Sequence, residues 1–190
     1  MQPPEEMLPE CHVHPGESRL VTEPAILHTV LGSCVGVTFF VPRLGIGALC
    51  HPMLPHCRPE GGEGMARASR RRYVDFAIRE MARRLDSLGA RRGEAQVKLF
   101  GGCDVLPVAA GNTRPTVGWL NAETALRVVA EEGLTLAASR LGGNAGINIR
   151  FHTDTGEVLL RDLAGDPRRE RSRALRGGER AGAAEGSLTR

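Results

Sequence analysis

The sequence is poor in three features, and each shortage excludes a class of protein. It has no run of about 18 apolar residues, so it predicts no membrane-spanning helix and no membrane insertion. Residues 1–6 lack both a basic start and an apolar core, so they do not resemble a secretory signal. The five cysteines are an odd number, which argues against a complete disulfide framework and favours a reducing compartment. We therefore expect a soluble, cytoplasmic protein.

Outside the C-terminal segment the sequence also lacks a surplus of positive or negative charge. The formal net charge of the 190 residues is +3. Residues 165–190 hold seven arginines and four acidic residues, a surplus of three positive charges, so the other residues balance to zero. A basic surface that grips nucleic-acid phosphates is not expected, and the sequence predicts no nucleic-acid partner.

Composition divides the chain into three parts. Residues 1–13 are rich in Pro and Glu and are expected to be loose, whereas residues 14–164 are long enough to bury one core as a single domain. Residues 165–190 are mostly Arg, Gly, Ala and Ser, with too few apolar side chains to offset the entropy lost on ordering. We expect this last segment to be a disordered basic tail.

Apolar periodicity predicts a mixed α/β domain made of packed layers. Near-continuous apolar runs predict strands of a sheet that is covered on both faces. Ser69 is the expected N-cap of a helix that ends near Gly89, and Asn121 is the expected N-cap of a helix that ends at Gly133. The predicted strands are residues 19–22, 25–31, 34–41, 45–51, 96–100, 134–138, 147–152 and 157–163.

Two residues with reactive side chains lie at the ends of apolar runs. Cys34 follows a Gly32-Ser33 corner, and His51 ends the strand that comes next. A thiol is a weak nucleophile while protonated, and an imidazole within hydrogen-bond reach can take its proton and later protonate a leaving group. A glycine at the corner lets backbone approach a substrate closely, because it has no Cβ. The residue types alone allow a cysteine hydrolase, but a cysteine in an apolar strand is more often a small buried side chain, and a histidine at a strand end more often has a structural role.

Sequence blocks around and beyond this pair run in order over residues 14–163 with few gaps. They are residues 29–37 (TVLGSCVGV), 45–49 with His51, 53–55, 72–78 (RYVDFAI), 98–102 (KLFGG), 117–118 with Asn121, 142–146 (GGNAG) and 155–158 (TGEV). In this arrangement the chain resembles the CheD family, the chemoreceptor glutamine deamidases of bacterial chemotaxis. Ordered blocks of this number are more specific than a Cys/His pair alone.

The resemblance implies a fold, an activity and partners. The implied fold is an α/β/β sandwich related to the catalytic domains of deamidating bacterial toxins. The implied activity is that of a protein-glutamine glutaminase, which converts glutamine side chains on the cytoplasmic domains of methyl-accepting chemoreceptors to glutamate and ammonia. We expect no cofactor. A CheC-type phosphatase is a further candidate partner, and the alternative function is a non-catalytic adaptor that binds receptors or such a phosphatase.

The same resemblance assigns the site residues. The family's nucleophile maps onto Cys34 and its histidine base onto His51. From the shape of the corner, and not from the resemblance, we expect the backbone N–H groups around Ser33 and Cys34 to be the oxyanion donors, with Gly32 in the same site loop. The family also places a threonine shortly before the cysteine to orient the histidine. Thr29 is the candidate, but regular strand alternation up to Cys34 would put the neighbouring residue, His28, on the nucleophile's face instead. Both assignments stay open from the sequence.

Three other features have a structural interpretation beside the functional one. The groups Cys11-His12-His14 and Cys50-His51 with His56-Cys57 contain zinc-type ligands but no paired Cys-x-x-Cys spacing, so we expect no metal. The glycines at 101–102 and 142–146 lack the spacing of a nucleotide loop, although the resemblance suggests that they border the cleft. Residues 52–69 are an expected loop, either a flap over the site or a plain connector.

Overall fold

The apolar runs of the sequence become the strands of two stacked β-sheets. The computed structural model describes residues 8–57, 65–91, 93–104 and 115–163, and within them nine strands are arranged as a four-stranded and a five-stranded sheet. The strands are β1 (Glu10–His12), β2 (Ser18–Val21), β3 (Ile26–Leu31), β4 (Val35–Val41), β5 (Ile46–Cys50), β6 (Gln96–Gly101), β7 (Thr135–Leu141), β8 (Ile147–His152) and β9 (Val158–Asp162). The helices are α1 (Arg67–Arg70), α2 (Val74–Ser87) and α3 (Val117–Glu131), and a 3-10 turn spans Pro42–Leu44.

The strand order separates the two sheets at the Cys34 corner. The four-stranded sheet has the order β1-β3-β8-β9, and the five-stranded sheet has the order β2-β5-β4-β6-β7. β3 ends at Leu31 in the first sheet and β4 begins at Val35 in the second. The three residues between them, 32–34, therefore carry the chain from one sheet to the other.

The five-stranded sheet is the middle layer. One of its faces packs against α2 and α3, and the alternate side chains of β4 and β5 on that face, such as Val37, Phe39 and Cys50, are fully buried. The opposite face packs against the four-stranded sheet, where Leu49 and Phe40 belong to a second apolar cluster. The α/β/β sandwich is thereby confirmed.

Residues 8–13 differ from the predicted loose N-terminal segment. They include β1, which pairs in parallel with β3, and Val13 after it is 1% exposed. The backbone N–H of Val13 donates to the carbonyl of His28, so the chain continues the pairing beyond the strand. Apolar burial of Leu8 and Val13 offsets the ordering of this Pro- and Glu-rich stretch. Residues 1–7 and the predicted tail 165–190 lie outside the described residues.

Both predicted helix starts are wrong. The chain is helical up to Arg71 and extended at Tyr73, and between them the carbonyl of Arg72 accepts hydrogen bonds from the N–H groups of Met53 and Leu54. The longer helix, α2, therefore begins at Val74 and not at Ser69. α3 begins four residues before Asn121, since Thr116 caps it by accepting a hydrogen bond from Trp119 N at 3.1 Å.

Helix ends and the buried helical stripe follow the sequence pattern closely. Gly89 and Gly133 have φ angles of 87° and 63° just beyond the last turns, a conformation that suits glycine. The buried apolar residues of α2 are those at three- and four-residue spacing, together with Ala82: Val74, Ala77, Ile78, Met81 and Leu85. None of the helices in the described part of the chain is long and apolar enough to cross a bilayer.

Candidate active site

The end of the β4–β5 ladder brings Cys34 and His51 to one face. The strands pair antiparallel with Val37 opposite Cys50, and the Val35 N–H donates to the Pro52 carbonyl at 3.2 Å, so the same register continues past the strand ends. In this register His51 lies opposite Gly36 and diagonal to Cys34, and all three face the four-stranded sheet. Cys34 packs against the apolar cluster between the sheets, as the alternation requires. The two elements of the predicted pair thus share one side of the sheet.

The main chain of His51 is held firmly. Its N–H donates to the Glu17 carbonyl at 2.9 Å, and its carbonyl accepts from the Gly16 N–H at 2.7 Å, which extends the pairing of β5 with β2. The side chain is 2% exposed. A buried imidazole with a fixed backbone has few alternative rotamers, so its ring is held in one orientation.

Hydrogen bonds fix the tautomer of the His51 ring. The Thr29 hydroxyl donates its one hydrogen to the Val13 carbonyl at 2.7 Å. The 2.8 Å contact between Thr29 Oγ1 and His51 Nδ1 therefore has Nδ1–H as its donor, and Val13 O accepts from the same N–H at 3.2 Å. In the neutral ring Nε2 is then the unprotonated nitrogen. Nε2 is buried and has no hydrogen-bond partner among the described residues, so its lone pair is available.

Thr29 and His28 face opposite sides of β3. Thr29 is fully buried between the sheets, whereas His28 is partly exposed and its Nδ1 lies 3.4 Å from His12 Nδ1 on the outer side. The even-number argument that favoured His28 fails because β3 and β4 belong to different sheets and the corner between them breaks the alternation. Thr29 is the residue that contacts His51.

The corner before Cys34 is held through its carbonyl groups. The carbonyl of Gly32 accepts from Cys103 N–H and that of Cys34 from Gly102 N–H, both at 2.8 Å. The carbonyl of Ser33 accepts from Asn121 Nδ2, also at 2.8 Å. Donors on three other residues thus anchor the carbonyl groups of all three residues of the corner that carries Cys34.

Burial sets the protonation states of the pair. Burial raises the pKa of the Cys34 thiol, with a hydrogen bond from its own backbone opposing the shift in part. Burial also lowers the pKa of His51, against the smaller opposing effect of its hydrogen bond to Val13. A neutral thiol beside a neutral imidazole is therefore the resting state near neutral pH. The described residues contain no hydrogen bond between Cys34 Sγ and His51 Nε2, and such contacts commonly tighten only when substrate binds.

The glycine-rich segments do border this corner. The Gly142 N–H donates to the Gly101 carbonyl at 2.9 Å, and the Gly143 carbonyl accepts from Asp104 N–H at 2.8 Å. A Cβ on Gly101 would lie 2.3 Å from the Cys34 carbonyl oxygen, so only glycine allows this approach.

Within the part of the chain that the structure describes, no group of three or more His, Cys, Asp or Glu side chains could hold a metal ion. The loop predicted at 52–69 lies partly outside the described residues, since 58–64 are not described.

Sequence reasoning missed two contributors to this site. Val13, in the segment expected to be loose, supplies the carbonyl that holds both Thr29 and His51. Asn121, expected at a helix start, is fully buried within α3 and contacts the corner. A backbone carbonyl carries no signal in the sequence, but an asparagine inside an apolar helical stripe does, because a buried amide needs hydrogen-bond partners.

Comparison with known proteins agrees with this architecture. The family model described as CheD chemotactic sensory transduction matches residues 53–162, more than half of the chain. The chain belongs to the CheD family. It is 43% identical over 156 residues to the probable chemoreceptor glutamine deamidase CheD 2 of Geobacter sulfurreducens, covering 82% of this chain and 91% of that protein. It is 34% identical over 155 residues to the probable chemoreceptor glutamine deamidase CheD of Maridesulfovibrio salexigens, covering 80% and 90% respectively.

Among solved structures, the chain is similar to the hypothetical protein YfiH of Bacillus licheniformis. The TM-score is 0.42 and the sequence identity 10%, over 67% of this chain and 50% of that one. This likeness is too weak to bear on function. The CheD family match begins at Met53, after both Cys34 and His51. The roles of these two residues therefore rest on their geometry and on the motif that surrounds them.

Proposed function

We propose that this CheD-family protein is a protein-glutamine glutaminase that deamidates glutamine side chains of methyl-accepting chemoreceptors, with Cys34 as nucleophile and His51 as base. The observation that carries the proposal is the 2.8 Å contact between Thr29 Oγ1 and His51 Nδ1. Because this contact keeps the hydrogen on Nδ1, the lone pair of Nε2 stays free, and His51 lies on the same face of the five-stranded sheet as Cys34. The family relatives whose names describe chemoreceptor glutamine deamidases support the same reaction.

The reaction proceeds in two halves. His51 Nε2 takes the thiol proton as Cys34 Sγ attacks the carboxamide carbon, and the N–H groups of Ser33 and Cys34 donate to the oxyanion. Collapse of the tetrahedral intermediate breaks the C–N bond, and His51 returns the proton to the departing nitrogen, which leaves as ammonia. Water then adds to the thioester with His51 as base. Cleavage of the C–S bond yields glutamate and restores the thiol.

The Thr29 contact orients the base but takes no proton. Its hydroxyl is committed to the Val13 carbonyl, so it acts as an acceptor toward the ring throughout the cycle. When His51 is protonated, Nδ1–H keeps its two acceptors and only Nε2 changes. This arrangement lets the ring cycle between neutral and charged forms without reorienting.

The receptor is the proposed partner, and exposed apolar side chains near the site support a protein substrate. Val117 and Trp119 on the first turn of α3 are 46% and 50% exposed, and Leu54 after His51 is 38% exposed. Because receptor domains that carry signalling glutamines are cytoplasmic, the enzyme is proposed to work in the cytoplasm. A complex with a CheC-type phosphatase is a second proposed partnership, which rests on the resemblance.

A non-catalytic adaptor is the alternative, and the same exposed apolar residues favour it. An adaptor needs the docking surface but not the pair of Cys34 and an imidazole with a fixed tautomer. The two functions differ in whether the receptor is chemically changed. An adaptor would bind a receptor fragment and leave its mass unaltered.

The direct test incubates the full chain with a receptor cytoplasmic fragment. Peptide mass spectrometry should find the mass gain of NH2 replaced by OH at particular glutamines, with ammonia released in equal amount. The Cys34→Ala protein is the control and should bind the fragment without changing it. Free glutamine is a second control, because its hydrolysis without any change in the receptor would indicate a small-molecule amidase. Binding with neither product would replace the proposal with the adaptor.

A further inference from the structure

We infer that Asn121 is a positioning residue that holds the Cys34 corner and the His51 segment together. The inference rests on the proposed function, because it concerns the same pair. Asn121 Nδ2 donates to the carbonyl of Ser33 at 2.8 Å and to the carbonyl of Met53 at 2.9 Å. One side-chain amide thus joins the residue before the nucleophile to a residue just after the histidine. We call this pair of hydrogen bonds the Asn121 bridge.

The bridge lies where the β4–β5 ladder comes apart. The last backbone hydrogen bond between the two segments is from Val35 N–H to the Pro52 carbonyl. Proline has no N–H, so the return bond of this pair cannot form. Beyond it, the N–H groups of Met53 and Leu54 both donate to the carbonyl of Arg72. The chain after His51 is therefore drawn away from the Cys34 corner.

This divergence would leave the Ser33 carbonyl without its ladder donor. In a continuing ladder, Leu54 N–H would donate to the Ser33 carbonyl, but it is already used by Arg72. Asn121 supplies that missing donor and a second one for Met53. The bridge thus replaces the next rung of the ladder at the point where the pair must be held in register.

Asn121 itself is held in a rigid setting. The turn of α3 just before it packs on the backbone after β6, so closely that a Cβ on Gly118 would lie 2.8 Å from the carbonyl oxygens of Gly102 and Cys103. Those two residues are the ones whose N–H groups hold the carbonyls of the Cys34 corner. Asn121 is 0% exposed, so its amide has no solvent to turn toward. The helix and the corner therefore behave as one body, and the bridge extends that body to the His51 segment.

The chemistry requires an amide at this position. Both partners are carbonyl oxygens, so the group that faces them must be the NH2 group, which fixes the orientation of the amide. Its Oδ1 is buried with no hydrogen-bond partner among the described residues. The NH2 group therefore makes both hydrogen bonds of the bridge. An aspartate of the same shape would present oxygens to two carbonyl oxygens and would push the segments apart.

The test compares Asn121→Ala and Asn121→Asp with Thr124→Val as the matched control. Thr124 is a buried polar residue (2% exposed) on the same helix, but its hydroxyl lies 3.4 Å from His56 Nε2 and away from the corner. Loss of alignment acts on the chemical step, so both Asn121 variants should lower kcat for receptor deamidation by about 10²-fold while KM stays within a few-fold. Thr124→Val should keep kcat near the wild-type value.

A second measurement separates positioning from general weakening of the fold. The rate of Cys34 alkylation by iodoacetamide is followed against pH by peptide mass spectrometry, with thermal unfolding recorded on the same samples. In the wild type, His51 can take the thiol proton once the carboxamide of the reagent occupies the site, so the Asn121 variants should need a higher pH for the same rate. In a His51→Ala background Asn121→Ala should have no further effect, because the partner that it aligns is gone.

The outcomes separate this inference from the proposed function. If the wild type deamidates the receptor and the Asn121 variants match Thr124→Val in kcat and in alkylation, the positioning role is wrong. An equal effect of Asn121→Ala with and without His51 would also overturn it, because the loss would then be structural. If the wild type releases no ammonia but the alkylation profiles shift as expected, the deamidase proposal fails and the bridge stands.

Discussion

The two faces of the five-stranded sheet give adjacent residues at the end of β5, Cys50 and His51, opposite surroundings. On the helix side, Cys50 is fully buried in an apolar cluster, and burial raises the pKa of its thiol to about 12. On the side of the second sheet, His51 meets Thr29 and the Val13 carbonyl, and Cys34 is only partly buried. One step past the end of β5 therefore separates a fully buried thiol from the imidazole that we propose as the base.

Placement, more than residue type, sets the surroundings of the two thiols. Full burial of the Cys50 thiol disfavours its thiolate form and closes it to a substrate. On the face toward the four-stranded sheet, His51 has polar partners in Thr29 and the Val13 carbonyl. They lie at the end of the two sheets, where the Cys34 corner carries the chain from one sheet to the other. Gly36 allows that meeting to be close, since a Cβ on it would lie 2.7 Å from Leu31 Cδ1.

Removing each thiol in turn is the strongest test of this comparison. Cys34→Ala should abolish ammonia release without unfolding the domain, because covalent catalysis has no substitute nucleophile on that face. Cys50→Ala should keep the activity and lose about 1 kcal/mol of unfolding free energy, a fall in Tm of about 2–4 °C. Ammonia release and thermal unfolding measure the two effects. Residual turnover in purified Cys34→Ala would exclude the mechanism.

Substitutions of the two neighbouring β3 residues, Thr29 and His28, test the next largest effect, a change in kcat. Thr29→Val keeps the shape of the side chain and removes the nearer of the two acceptors of His51 Nδ1–H, so the orientation and tautomer of the ring are held less firmly. We expect kcat to fall by about 10²-fold, the lower range of what a well-placed general base contributes. His28→Ala, on the outer face of the same strand, should leave kcat unchanged. A larger loss from His28→Ala than from Thr29→Val would reverse the assignment.

Most of the layered fold could be predicted from the sequence, because burial leaves a clear pattern. The apolar runs of β3, β4 and β5 fall within a residue of their predicted bounds, and Gly89 and Gly133 end helices as expected. The motif also named Cys34 and His51 as a pair, and the structure brings both to one face of the sheet.

Contacts that depend on tertiary geometry could not be predicted in the same way. Alternation could not choose between Thr29 and His28, because no sequence pattern says that β3 and β4 join different sheets. Asn121 is a good N-cap residue by type, but Thr116 takes that role and the burial of the helix decides the rest. Residues 8–13 have no apolar periodicity that predicts a strand, and their order comes from pairing with β3.

The pH dependence of turnover is the smallest effect, and its sign follows from burial. Burial lowers the pKa of His51, so the ring stays neutral, and able to take the thiol proton, at pH values where an ordinary imidazole is already charged. The acid limb of kcat/KM should therefore have its midpoint below about 6.5, the ordinary value for histidine. His28→Ala is the control and should leave the midpoint in place. A midpoint above 6.5 would mean that the imidazole in use is stabilised in its charged form, which neither the burial of His51 nor its two neutral acceptors can explain.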